Sequence, residues 1–221
     1  FRYNYPGIEE SVLLLDVGAK TSNLIYADGK KFFTRSVAIG GANLTSAIAK
    51  EYNVSFSEAE NSKLTSGLVT LGGGHAGQLD EATAALGTII RNALTRLTAE
   101  IQRTNTLFRS QQGGNAPQKV LLAGGTANLP YLREFLEEKL SLPVETFNPL
   151  QRISVGKGVD VDALGREAHQ LGEIVGLGLR ASDNAVISID LVPDAVQAQR
   201  DITRRKPALM TASALFLVGL A

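Results

Sequence analysis

The sequence predicts an α/β fold in which helices flank a mixed β-sheet. Two observations support this prediction. First, short apolar runs at 11–17, 21–27 and 31–39 are typical of strands, and Asp28-Gly29 between the last two is a strong hairpin signal. Second, helical and strand-like patterns alternate from residue 80 onward, as expected for a layered α/β domain.

Composition excludes several classes of protein. The chain has 221 residues, 22 Lys and Arg, 22 Asp and Glu, two His and no Cys, and 44% of its residues are hydrophobic. Such apolar content is enough for a folded core and argues against disorder. Zero net charge argues against binding nucleic acid through many phosphates. Without cysteine there is no disulfide scaffold, thiolate zinc site or thiol catalysis, and two separated histidines exclude a multi-His metal centre.

The first half of the chain continues with two helices and a loop. A helix is predicted from Asn43, as its cap, to Tyr52, with Leu44, Ala47 and Ile48 on one face. Ser55 and Glu58 have the spacing of a capping box and predict a short helix through Lys63. Residues 65–79 are rich in Gly, Ser and Thr, which is typical of a loop.

The second half alternates helices and strands. Its predicted elements are a long helix 80–110, a strand 119–123, a turn at Gly124-Gly125-Thr126, a helix 130–140, a strand 143–147, a loop 148–164, a helix 167–179 and a last β-like run 186–192.

A carboxylate at the end of the first strand is the first candidate site. Asp16 closes a buried run, Gly18 permits a tight turn, and Thr21, Ser22 and Asn23 begin the next strand. Backbone N–H groups and hydroxyls of such a turn surround an anion, and Asp16 is suited to hold Mg²⁺ through water. A plain hairpin fits the same residues.

Paired glycines and an ion pair complete the candidate site. Gly124 and Gly125 stand between a strand and a helix, where a flat ligand approaches the backbone closely, and Gly40-Gly41 is a similar turn. Glu60 and Lys63 are three residues apart and share one helical face. A tight βα turn and a solvated ion pair are the structural alternatives.

The order and spacing of these segments resemble the actin-like ATPase superfamily, and within it the PilM family of type IV pilus assembly proteins. The resemblance spans roughly 1–182 and lies in the following segments: Leu13-Leu-Leu-Asp-Val-Gly-Ala-Lys-Thr-Ser-Asn-Leu-Ile25, Phe33-Thr-Arg-Ser-Val-Ala-Ile-Gly-Gly-Ala-Asn-Leu-Thr45, Ala59-Glu-Asn-Ser-Lys63, Glu100-Ile-Gln-Arg103, Val120-Leu-Leu-Ala-Gly-Gly-Thr-Ala-Asn-Leu-Pro130 and Val144-Glu-Thr-Phe-Asn-Pro-Leu150.

The resemblance implies an actin-like (ribonuclease H-like) lobe that binds ATP and Mg²⁺. It implies that Asp16, Gly18, Thr21 and Asn23 form a phosphate loop, and that Gly40 and Gly41 belong to a connecting segment near the phosphates. It also implies that Glu60 and Lys63 face the nucleoside, that Gly124, Gly125 and Thr126 form the adenosine motif, and that 167–179 is a second connecting helix.

The same resemblance implies how the chain is divided. Residues 1–10 are expected to end a first lobe that is missing, 11–52 and 80–186 to form the core of the second lobe, and 53–79 a small outer subdomain. Because half a cleft cannot enclose ATP, this chain is expected to bind nucleotide weakly and not to turn it over. No residue stands out as a water-activating base, so whether the protein is an enzyme stays open.

The C-terminal region carries a second resemblance. Ile187-Ser-Ile-Asp-Leu-Val-Pro193 is similar to the cytoplasmic peptide of PilN, the inner-membrane partner of this family, and Ile189, Leu191 and Pro193 are its predicted contact residues. Residues 187–207 would form this peptide and a basic linker. The uncharged run 208–221 then predicts the start of a truncated transmembrane helix, and hence a protein at the cytoplasmic face of the bacterial inner membrane. A buried helix and an ordinary terminal strand are the alternatives.

The function predicted from these features is an ATP-binding scaffold of the inner-membrane platform for type IV pilus, or related type II secretion, assembly. A PilN-like protein and other pilus assembly proteins would be its partners. The alternatives are an FtsA-like cell-division protein and a catalytic ATPase or sugar kinase of the same superfamily.

Overall fold

The structure is a computed structural model that describes residues 1–29, 31–182, 184 and 192–219. The chain separates into two compact units, Phe1–Asn184 and Ala185–Ala221. The first unit contains five strands: β1 Val12–Val17, β2 Ser22–Asp28, β3 Lys31–Val37, β4 Lys119–Ala123 and β5 Val144–Thr146. Its helices are α1 Gly41–Tyr52, α2 Phe56–Ser66, α3 Glu81–Gln112, α4 Leu132–Leu140, α5 Val161–Glu167 and α6 Gly172–Ala181.

The strands form one mixed sheet in the order β3-β2-β1-β4-β5. β1 pairs antiparallel with β2 and parallel with β4. The pairing places Asp16 opposite Asn23 on one side and Ala123 on the other. The predicted mixed α/β fold is therefore confirmed, with β1 in the centre of the sheet.

Both faces of the sheet are covered, because the strand residues alternate between two apolar clusters. On one face, Leu13, Leu15 and Val120 join the main core formed with α1, α3 and α4. On the other face, Val12 and Leu121 lie in a smaller cluster with Phe147, packed by the first residues of the chain. Aromatic rings stack there, with centroids 5.5 Å apart for Phe1–Tyr5 and 5.6 Å apart for Tyr5–Phe147.

Three details differ from the sequence-based expectations. Asn43 is not the cap of α1: Gly40 precedes the helix, and Asn43 Oδ1 accepts the Gly40 N–H at 2.8 Å. The predicted loop 148–164 ends in α5, whose start at Val161 is capped by Asp160. The predicted helix 167–179 is interrupted by a 3₁₀ turn, Ala168–Gln170, before α6 begins.

The second unit contains helix α7, Asp194–Gly219, which passes through Pro207 without ending. The basic stretch and most of the apolar run thus belong to one helix, whereas the sequence predicted a new helix at the apolar run. Within the described part of the chain, no helix combines enough length and apolar character to cross a bilayer. The predicted transmembrane helix is not supported. The predicted β-like run 186–192, apart from Val192, and its contact residues Ile189 and Leu191 lie outside the described residues.

Candidate functional site

The candidate site lies at the carboxyl ends of β1 and β4. Asp16 and Ala123 are opposite each other in these parallel strands, so the turns that follow them leave the sheet side by side. Gly124 has φ +88°, and a Cβ there would collide with Asp16 Oδ1 and with the Val17 carbonyl oxygen. The glycine is required both by its backbone conformation and by the closeness of Asp16.

The turn after β1 leaves several backbone donors unused. Gly18 N–H donates to the Thr21 carbonyl at 3.0 Å and closes the turn. Among the described residues, the amides of Ala19, Lys20 and Thr21 have no hydrogen-bond acceptor, and the three residues are exposed. Successive free N–H groups in a turn form a concavity suited to an anion.

The turn after β4 offers further free donors beside the first. Thr126 Oγ1 donates to the Gly18 carbonyl at 3.0 Å and ties the two turns together. The Gly124 N–H donates to the His169 carbonyl oxygen at 3.2 Å, whereas the amides of Gly125 and Thr126 have no acceptor in the described residues. The exposed Gly125 backbone faces Gln170, whose Oε1 would be 3.6 Å from a Cβ at that position.

The glycines at positions 40 and 41 lie where the start of α1 approaches the turn after β1 closely, which the sequence did not reveal. A Cβ at Gly40 would lie 2.6 Å from the Gly18 carbonyl oxygen and 2.7 Å from that of Ala19. The Gly41 N–H donates to the Gly18 carbonyl oxygen at 3.0 Å, and the Ala42 N–H donates to the Ala19 carbonyl oxygen at 2.7 Å. The start of α1 is therefore docked on the phosphate-loop candidate, and its first amides are already satisfied.

Lys63 and Glu60 lie beside this junction and join α2 to α1. Lys63 Nζ is 2.8 Å from Glu60 Oε2, 2.8 Å from Thr45 Oγ1 and 3.2 Å from the Gly41 carbonyl oxygen. An ammonium group has three donors, so all of them are occupied. Thr45 also hydrogen-bonds to Glu60. Burial raises the pKa of Glu60, but the hydrogen bonds from Lys63 and Thr45 and the charge of Lys63 outweigh it, leaving the pKa lowered.

Asp16 is held by the neighbouring strand. Asn23 Nδ2 donates to Asp16 Oδ2 at 3.3 Å, and Ser36 Oγ donates to Asn23 Oδ1 at 2.6 Å. No group of three or more His, Cys, Asp or Glu side chains is close enough to hold a metal within the part of the chain that the structure describes. Asp16 can therefore contribute a single carboxylate to a cation, with the other ligands supplied by water or by a bound ligand.

The structure thus brings together Asp16, Gly18, Gly40, Gly41, Glu60, Lys63, Gly124 and Thr126 around two adjoining turns. Thr21 is exposed at the edge of the first turn, and Pro193 lies outside this unit, directly before α7. Sequence patterns missed Ser36, Thr45 and Gln170, because single polar residues at unremarkable positions carry no spacing signal.

A family model described as type IV pilus assembly protein PilM matches residues 4–182. The chain belongs to the PilM family of type IV pilus assembly proteins. Its similarity to a solved PilM-PilN type IV pilus biogenesis complex agrees with this membership. That match has a TM-score of 0.64 and 26% identity, and it covers 80% of this chain and 48% of the other.

Two further proteins resemble the chain, one in sequence and one in fold. Cell division protein FtsA of Borreliella burgdorferi is 26% identical in an alignment 172 residues long, and the match covers 67% of this chain and 39% of that protein. The archaeal actin homologue Ta0583 has a TM-score of 0.51 at 18% identity over 82% of this chain and 51% of that structure, which shows the actin-like fold. The PilM-family chain spans about half the length, or less, of the relatives it matches.

Proposed function

We propose that this PilM-family chain is a nucleotide-binding scaffold for type IV pilus assembly, with ATP and Mg²⁺ at the two turns that follow β1 and β4. The observation that carries the proposal is the position of Asp16 directly beside Gly124. A carboxylate that can bind a cation therefore lies next to a glycine turn that a flat ligand can approach.

The free backbone donors support binding of the phosphates. The amides of the exposed residues Ala19, Lys20 and Thr21 have no acceptor in the described residues, and neither do those of Gly125 and Thr126 in the adjoining turn. A polyphosphate carries acceptor oxygens for such groups, and Asp16 would hold Mg²⁺ through water. Bound Mg²⁺ would offset the negative charge of the phosphates.

Glu60 and Lys63 would contribute mainly by fixing the shape of the slot. Because all three donors of Lys63 are occupied, this residue holds α2 against the start of α1. A direct contact of Lys63 with a nucleoside would require one of these hydrogen bonds to break. Glu60, about one-third exposed, has one carboxylate oxygen without a hydrogen-bond partner among the described residues and is the better candidate for such a contact.

Calorimetric titration of the intact protein with ATP, in Mg²⁺ and in EDTA, tests the proposed site. Asp16→Asn should weaken binding in Mg²⁺ at least about tenfold and have a smaller effect in EDTA. Glu145→Gln, an exposed carboxylate on β5, is the matched control and should bind as the wild type does. Equal affinity of wild type and Asp16→Asn in Mg²⁺ would contradict the site.

A PilN-like protein at the cytoplasmic face of the inner membrane is the partner that we propose. Support comes from the similarity to a solved PilM-PilN complex and from the pattern of Ile189, Leu191 and Pro193. If the segment 187–193 acts as the PilN-like peptide in the same chain, docking is intramolecular, with an effective concentration on the order of millimolar. Leu191→Glu should then speed hydrogen exchange in the part of the unit Phe1–Asn184 that the peptide would protect, whereas Ser188→Glu, one step out of the alternation, should not. Identical exchange in both variants would exclude this docking.

The similarity to FtsA supports a cell-division scaffold as a second candidate function. Deletion of the gene separates the two. Loss of surface pili with normal cell length supports pilus assembly, whereas long undivided cells with normal pili would support the FtsA-like function.

A further inference from the structure

Three polar side chains lie directly opposite one another across three neighbouring strands. The β1–β2 register pairs Asp16 with Asn23, and the β2–β3 register pairs Asn23 with Ser36. Directly opposed residues on adjacent strands project to the same face of a sheet and contact one another. The row runs from the exposed edge strand to the central strand that carries the proposed cation ligand.

Each link in this row has a defined direction. Ser36 Oγ donates to Asn23 Oδ1 at 2.6 Å, so the oxygen of the Asn23 amide is directed toward β3. The nitrogen of the same amide is thereby directed toward β1, where it donates to Asp16 Oδ2 at 3.3 Å. An amide turned by 180° would present its oxygen to the carboxylate, an unfavourable contact between two acceptors. The Asp16 carboxylate therefore fixes the direction of the amide, and Ser36 holds the amide oxygen by its hydrogen bond.

The opposite side of Asp16 is bounded by backbone. Its Oδ1 lies so close to Gly124 that a Cβ there would collide with it. The carboxylate is thus held by a donor at Oδ2 while Oδ1 is directed toward the turn that begins at Gly124. Hydrogen-bonded partners of this kind orient the groups that bind a metal and raise its affinity.

We propose that Asn23 is a positioning residue that orients the Asp16 carboxylate for a divalent cation, and that Ser36 holds the Asn23 amide in place through its hydrogen bond to the amide oxygen. The inference rests on the proposed function, because it concerns Mg²⁺ at the same site. It differs from the expectation for Asn23 drawn from the family resemblance, since Asn23 acts through Asp16 without touching the nucleotide. Ser36 was not among the residues that the sequence singled out.

The test compares ATP affinity in Mg²⁺ with ATP affinity in EDTA for the intact protein. The ratio of ATP affinity in Mg²⁺ to ATP affinity in EDTA is the gain due to Mg²⁺. Asn23→Ala should reduce this gain about tenfold and Ser36→Ala about threefold, while ATP affinity in EDTA stays nearly unchanged. Thr34→Ala, an exposed hydroxyl on the same strand as Ser36, is the matched control and should retain the full gain. A purely structural role for Asn23 would lower thermal stability and leave the gain intact.

A second measurement needs no nucleotide. In the free protein, the side-chain amide signals of Asn23 in ¹H–¹⁵N NMR should shift in Asp16→Asn and in Ser36→Ala, but not in Thr34→Ala. If the wild-type protein does not bind ATP, both the proposed function and this inference are overturned. This inference alone is overturned if the wild-type protein binds ATP but Asn23→Ala keeps the full gain from Mg²⁺. The same holds if the Asn23 signals do not shift in the variants.

Discussion

Thr126 Oγ1 donates a 3.0 Å hydrogen bond to the carbonyl oxygen of Gly18, although the two residues are 108 positions apart in the chain. The same carbonyl accepts the N–H of Gly41 at 3.0 Å. A single backbone oxygen therefore joins three segments: the turn after β1, the start of α1 and the turn after β4. The shape of the candidate site depends on this junction.

Thr126→Val should loosen the junction while keeping the shape of the side chain. We expect the free energy of unfolding to fall by about 1 kcal/mol, because one partly buried hydrogen bond is lost. ATP affinity should fall with it, because the two turns are no longer tied together. Chemical denaturation and calorimetry measure the two effects, and Thr146→Val on β5, an exposed position, is the control. Unchanged stability of Thr126→Val would show that the bond is not needed.

Gly124→Ala tests whether close approach or backbone conformation requires the glycine. Both Gly124 and Gly158 have φ +88°, but a Cβ at Gly158 would meet no atom within 4 Å. Gly158→Ala should therefore cost only the strain of the left-handed region, about 1 kcal/mol. Gly124→Ala should cost at least about 2 kcal/mol, since Asp16 and Val17 must also move. Equal losses in the two variants, measured by urea unfolding, would show that the contact with Asp16 is unimportant.

Lys63→Met removes the ammonium group that joins α2 to α1 but retains an unbranched side chain. Glu60, Thr45 and the Gly41 carbonyl would each lose a donor, so we expect the free energy of unfolding to fall by about 2 kcal/mol. Lys50→Met, on the exposed side of α1, is the control and should change it little. Hydrogen exchange should become faster in α2 before it does so in the sheet, and uniform exchange would contradict a local clamp.

Glu138 gives a prediction about pH. Arg91 hydrogen-bonds to its carboxylate and, with the Gly72 N–H, lowers the pKa of Glu138 from 4.5 to about 2. A lowered folded-state pKa means that the stabilisation is complete above about pH 4.5 and is lost as the pH falls toward 2. Because the carboxylate is partly exposed, the free energy of unfolding of the wild type at pH 7 should exceed that of Glu138→Gln by only about 1 kcal/mol.

Urea unfolding at several pH values measures this difference. The advantage of wild type over Glu138→Gln should be constant from pH 7 to pH 5 and should shrink at pH 3. Glu145→Gln, which removes an exposed carboxylate without a hydrogen-bond partner in the described residues, should show no such trend. A difference that stays constant down to pH 2 would mean that the Glu138–Arg91 pair is not its source.

Local patterns were sufficient for most of the regular elements. The hairpin at Asp28-Gly29, the capping box at Ser55 and the buried strand Lys119–Ala123 depend on short-range geometry, and the structure has all three. Boundaries failed where a contact distant in sequence decides them. The start of α1 is set by Gly18 and Ala19, which accept its first amides, and Asn43 alone could not reveal this.

The sequence by itself determined the alternation of strands and helices, the family and the residues that crowd around the two turns, because apolar periodicity and glycine spacing are local properties of the chain. Only the tertiary structure decided what those residues do. It paired β1 with β4, so Asp16 came to lie beside Gly124, and it saturated Lys63 with three acceptors from two helices. Hydrogen bonds and collisions between distant segments depend on distances that strand register and helix packing fix, and such distances have no counterpart in the linear order of residues.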